Sequence, residues 1–140
     1  MTPEITREAY VAAWKRDDRA EAVRIYQAAM ERAPPFLQAV CRGDMTEARR
    51  LLLEDPDNAR LVEEVTGFTA LMYAAGRGHL SSVRLLLAAP TIDITLRDES
   101  GRTARDIAAR NGHAQIVRAL VSFAVSGEPA DVKPRLTREA

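Results

Sequence analysis

The sequence predicts an all-α protein made of stacked helix-turn-helix units, and three observations carry that expectation. Gly67 to Leu87, GFTALMYAAGRGHLSSVRLLL, returns at Gly101 to Val121 as GRTARDIAARNGHAQIVRALV, a shift of 34 residues. Under that shift Thr69 meets Thr103, Ala74-Ala75 meets Ala108-Ala109, and Gly78-His79 meets Gly112-His113. A repeat of this length is one supersecondary unit that cannot bury its apolar face alone, so neighbours must stack. Leu80, Val83, Leu86 and Leu87 then recur at three- and four-residue spacing, the mark of one apolar helix face. Finally, 46% of the residues are hydrophobic and only 5% aromatic, a composition suited to closely packed Ala, Leu and Val helices.

Within one unit each signal has a physical cause. Thr69 can cap the first helix through its hydroxyl. Ala74, Ala75 and Gly76 are small enough for a neighbouring helix to approach closely, and Gly78 suits the left-handed residue that ends such a helix. The second helix follows from Leu80. Thr91 to Ser100 returns the chain to the next Gly-x-Thr, and Ile92, Ile94 and Leu96 alternate with polar residues there, which predicts a short extended arm.

The residues GFTALMYAAGRGH at 67–79 and GRTARDIAARNGH at 101–113 resemble the ankyrin repeat, whose pattern is Gly-x-Thr-Pro-Leu-His-x-Ala-Ala-x-x-Gly-His. Ala70 and Ala104 stand for the Pro, Met72 and Asp106 for the first His, and Arg105 for the Leu. Arg105 marks a terminal unit, since end repeats need a polar outer face. FLQAVCRGDMTEARRLLL at 36–53 fits as a first unit without the Gly-x-Thr opening. The resemblance covers about 36–125 and implies an ankyrin-type solenoid with short extended connectors.

The remaining chain is taken in order. Thr2-Pro3-Glu4 reads as a helix start, with Pro at the first helical position, and the helix is expected to run to about Arg16. Ile5, Ala9, Ala12 and Ala13 share one side of it, beside Tyr10 and Trp14. Asp17-Asp18 breaks it. A second helix, Ala20 to about Arg32, carries Ala22, Val23, Tyr26, Ala29, Met30 and Ala33 on one face until Pro34-Pro35 stops it. WKRDDRAEAVRIYQAAMERAP at 14–34 resembles half a tetratricopeptide unit, yet Asp17-Asp18 also resembles Gly43-Asp44 of a worn ankyrin unit. The expected organisation is a helical pair at 1–34 docked over the exposed end of the first unit, a repeat domain at 35–126, and a mobile tail at 127–140.

Several function classes are excluded by composition. Twenty basic and 20 acidic residues leave no net charge, so neither nucleic acid nor an anionic membrane is an expected partner. No stretch approaches the length of a membrane span, and the N-terminus lacks a signal-peptide run. The single cysteine, Cys41, forms no intrachain disulfide, which fits a cytoplasmic, monomeric protein. Cys41, His79 and His113 are the only candidates for catalysis. The histidines occupy equivalent repeat positions, which favours a structural role in which the imidazole bonds backbone at the start of the second helix. Glu63-Glu64 and Asp17-Asp18 read as solvated helix-end charges. No metal-ligand spacing and no phosphate loop is present, so no cofactor is expected and the chain reads as no enzyme.

The resemblance implies instead a protein-binding adaptor, inhibitor or regulator whose partner docks on the concave face of connector tips and first helices. Carried over by position, that face holds Val65, Thr66, Phe68, Tyr73 and Arg77, with Arg42, Arg102, Arg110 and Asn111 from the flanks. Phe68 stands between Gly67 and Thr69, either as an exposed aromatic anchor for a partner or folded back against Leu96 or its own helix. The arginines form a basic patch that suits an acidic partner surface.

Overall fold

The computed structural model describes residues 5–126, and the expectations for Thr2-Pro3-Glu4 and for the tail at 127–140 lie outside them. Eight α-helices form within that range: α1 (Arg7–Lys15), α2 (Arg19–Glu31), α3 (Pro35–Arg42), α4 (Met45–Glu54), α5 (Ala70–Arg77), α6 (Leu80–Leu87), α7 (Ala104–Arg110) and α8 (Ala114–Ser126). A short 3-10 turn, Pro56–Arg60, follows α4. The first helix starts later than the sequence suggests. Thr6 caps α1, accepting a hydrogen bond from Ala9 N at 3.1 Å.

One turn is used four times. In each helix pair the amide of the second helix's cap residue reaches back to the carbonyl of a fully buried alanine five residues earlier. The four bonds are Asp18 to Ala13 (2.8 Å), Asp44 to Ala39 (2.9 Å), His79 to Ala74 (3.0 Å) and His113 to Ala108 (2.9 Å). Each alanine is completely buried, because any larger side chain would hold the adjacent helices apart. The turn needs one left-handed residue. Gly43, Gly78 and Gly112 supply it at φ 78–79°, but in the first pair Asp17 takes it at φ 59°. α1–α2 is therefore built like a repeat unit at its turn, although it lacks the repeat's glycine. Asp17→Gly should raise the unfolding free energy by up to about 1 kcal/mol, because a Cβ is disfavoured in that conformation. An unchanged or lowered denaturant midpoint would count against strain at this turn.

The stack proper comprises α3–α4, α5–α6 and α7–α8, with α5 packed between α3 and α7. Thr69 and Thr103 cap α5 and α7 as expected, and Asp106 completes a reciprocal capping box with Thr103. Ala70 to Ala75 are all buried, so α5 is apolar on every side and must be covered on every side. α7 is different: Arg105, Asp106, Ala109 and Arg110 are exposed, as a terminal unit requires.

The connectors are looser than the alternation of Ile92, Ile94 and Leu96 suggests. Among the described residues they contain no strand, only an isolated antiparallel bridge between Val62 and Thr69. A buried carboxylate organises each tip instead. Glu63, 5% exposed, accepts from the amides of Val65 and Thr66 and from the Thr66 hydroxyl. Asp98, likewise 5% exposed, accepts from the amides of Ser100 and Arg102 and from the Ser100 hydroxyl. Glu63 is thus an internal strut rather than a solvated charge. The tips join through Glu99 N donating to Thr66 O at 2.9 Å, where a Cβ on Gly67 would meet Glu99 N at 2.9 Å.

The helix pair α1–α2 packs against α3 of the first unit and reaches beyond it. It lies across the connector and first-helix side of all three. α2 reaches the second unit through Tyr26, which contacts both Phe68 and Tyr73. α1 reaches the connector tips: Arg7 donates to Glu64 O at 3.3 Å and pairs with Glu99 at 3.1 Å. Arg102 lies 4.6 Å over the Trp14 ring. Tyr10, Ala13, Ala22 and Ile25 form a second small core beneath the pair, closed by Val65. Ile25, rather than Val23, faces inward; Val23 is half exposed.

Candidate functional site

Phe68, Tyr73 and Thr66 are not surface anchors. They are 5%, 0% and 0% exposed. Phe68 and Tyr73 pack with Tyr26 in a three-ring cluster whose centroids lie 5.1–5.6 Å apart, a normal range for tilted and edge-on aromatic pairs. Burial pushes the Tyr26 and Tyr73 phenols well above their usual range, which keeps both neutral. Val65 is half-buried under α1 and α2. The aromatic patch expected to meet a partner is covered by the chain's own N-terminal helices.

The polar members of the expected face remain accessible around that cover. Arg42, Arg77 and Arg110 sit exposed in the last turns of α3, α5 and α7; Arg42 and Arg77 directly precede the turn glycine, where the third unit has Asn111, and Arg110 stands one residue earlier. Asn111 donates to Gly76 O at 3.0 Å and ties the end of α7 to that of α5. Arg102 is half-buried and held in place: its guanidinium pairs with Asp98 at 3.2 Å and donates to Ser100 Oγ at 2.9 Å. Arg42 pairs loosely with Asp44 at 3.6 Å.

Cys41 and the histidines have structural duties. The Cys41 thiol, 7% exposed, faces the Tyr26 hydroxyl at 4.0 Å. The imidazoles do not bond the start of their own helix. His79 lies against Gly43, and His113 lies against Gly78 while donating from Nε2 to Gly76 O at 3.2 Å. Each imidazole fills the space a missing Cβ leaves in the preceding unit, which explains why glycine and histidine repeat together. Among the described residues, no hydrogen bond joins Cys41 to a histidine, and no group of His, Cys, Asp and Glu could hold a metal. No described helix is long and apolar enough to cross a membrane. A further cleft of about 500 Å³ lies between α6 and α8, walled by Leu80, Arg84, Gln115 and Arg118 on the second-helix side.

The family model for ankyrin repeats (3 copies) matches residues 18–132. The chain belongs to the ankyrin-repeat family. No curated protein matches its sequence. Among solved structures, this ankyrin chain is similar to a chain in the complex of the Bd0816 predatory endopeptidase from Bdellovibrio bacteriovorus with immunity protein Bd3460. The TM-score is 0.60 at 26% identity, over 71% of the present chain and 49% of the other. The present chain thus spans about half the length of the one it matches. Ankyrin repeats are protein-interaction modules, and the rigid stack agrees with that use.

The sequence reading missed two features of this ankyrin site. Its cover, Tyr26, stands on a helix ahead of the units that the repeat pattern marks at about 36–125, and nothing in the sequence names the surface it meets. The other is the pair of buried tip carboxylates, Glu63 and Asp98; their 35-residue spacing is the signal that finds them.

Proposed function

We propose that this ankyrin protein is a non-enzymatic module that binds another protein, as an adaptor, inhibitor or regulator, in the cytoplasm. The observation that carries the reading is the ladder of accessible cations, Arg42, Arg77 and Arg110, on the ends of three first helices. A rigid stack holds these groups at fixed spacing, so little ordering entropy is lost on docking. The partner then approaches the first-helix side around the N-terminal pair and presents carboxylates to the ladder and to Arg102 and Asn111. Likeness to a chain from an endopeptidase–immunity protein complex favours the inhibitory variant. Val65, Thr66, Phe68 and Tyr73 contribute by holding the pair in place, not by touching the partner.

The test is capture of a stoichiometric partner from native lysate by the intact chain. Reversing Arg42, Arg77 and Arg110 together to Glu should weaken capture by about 2 kcal/mol or more while the fold persists. Arg49→Glu on α4 should leave capture unchanged. Loss with Arg49→Glu alone, and retention with the triple reversal, would move the site to the second-helix side.

A further inference from the structure

Two slots flank Trp14 where the N-terminal pair meets the stack. One, of about 370 Å³, has Arg19, Arg77, Arg102 and Arg110 in its wall. The other, also about 370 Å³, has Lys15, Arg102, Arg110 and Glu99. Both volumes fall at the lower end of the range for ligand sites. Trp14, Arg102 and Arg110 belong to both slots. Lys15, Arg19, Arg77 and Arg110 therefore face one lining carboxylate, Glu99, which Arg7 already holds at 3.1 Å, while Arg102 is paired with the buried Asp98.

This concentration stands out in a chain whose 20 basic and 20 acidic residues cancel. Low-dielectric walls focus such a local field on whatever enters. One cation is pre-positioned: Arg102 is clamped by Asp98 and Ser100 and lies on the Trp14 face. The Trp14 Nε1 is buried beside it with no hydrogen-bond partner.

We propose that these slots seat an acidic peptide segment of the partner, with carboxylates meeting Arg77 and Arg110 and the chain passing Trp14. The proposal rests on the binding-module reading above and names what that module recognises. Residues 127–140 are a poor occupant, because Glu128, Asp131 and Glu139 are balanced by Lys133, Arg135 and Arg138. A nucleic-acid strand is disfavoured too: Trp14 is half-buried with Arg102 already on its face, so the slots offer no open stacking platform, and the basic run is short on a neutral protein.

Trp14 is the sole tryptophan and lines both slots, so its emission reports occupancy. The intact chain is titrated with a short polyglutamate peptide at low salt. A saturable emission change is expected, weakened about tenfold or more by Arg77→Glu with Arg110→Glu, and weakened by added salt. Arg49→Glu should change nothing. Should the double reversal fold poorly, Arg110→Gln on the exposed end of α7 gives the same comparison with a smaller loss. No saturable change, or a change indifferent to both slot variants, overturns the proposal. Equal or tighter binding of a single-stranded RNA of matching charge overturns the choice of peptide. A native partner still captured by the double reversal sinks the slot but spares the binding-module reading; capture of nothing by the unaltered chain sinks that reading itself.

Discussion

Deleting residues 1–34 should lower the stability of what remains by several kcal/mol and promote self-association. The loss comes from the two aromatic side chains the pair covers. Phe68 and Tyr73 are 5% and 0% exposed in the intact chain, and uncovering a large apolar side chain costs roughly 1.5–3 kcal/mol. The second small core of Tyr10, Ala13, Ala22 and Ile25 disappears as well, but it leaves with the deleted helices. What stays behind is a contiguous apolar patch on the first-helix side, the kind of surface that associates. A milder version is Tyr26→Ala, which should cost about 3 kcal/mol, the low end for truncating a large aromatic, because Tyr26 is only partly buried. Thermal melts with sedimentation measure both effects. A truncated chain that melts at the parent temperature and stays monomeric would show that the pair contributes nothing to the fold.

Gly78→Ala should cost about 2–3 kcal/mol, whereas Gly112→Ala should cost only about 1 kcal/mol. The two glycines share φ 78°, so the backbone part of the penalty is common to them. They differ in what a Cβ meets. At Gly78 it would lie 2.7 Å from His113 Cε1, while at Gly112 nothing stands within 4 Å. The imidazole would have to move and give up its hydrogen bond to Gly76 O, a loss on the order of 1 kcal/mol. The difference between the two variants therefore measures how much the glycine–histidine contact contributes to holding unit on unit. Equal destabilisation would mean that the contact is incidental and that only the left-handed backbone matters.

The same contact separates the roles of the repeated residues. Among the described residues nothing stands against Gly112, so there its glycine serves the turn alone. Gly43 and Gly78 serve the turn and the neighbour together. His79 and His113 are therefore parts of the stacking surface.

The sequence by itself determined what is local or periodic. Capping by Thr69 and Thr103, the left-handed glycines, the apolar second-helix face and the polar terminal helix α7 follow from rules that act within a few residues or one repeat. Even the turn of the N-terminal pair was legible at Asp17-Asp18. The tertiary structure decided where that pair goes. Its register is set by Tyr26 finding Phe68 and Tyr73, residues more than 40 positions away, and by Arg7 and Trp14 finding Glu99 and Arg102. One clue to the cover was present: Ala70 to Ala75 is apolar all round, and a helix of that kind needs protein on every side. What the clue lacks is direction. Apolar burial is non-directional, so composition can say that α5 must be covered, and only packing says by which helices. The cover then converts an expected aromatic docking face into core and leaves the arginines at its margin as the accessible chemistry.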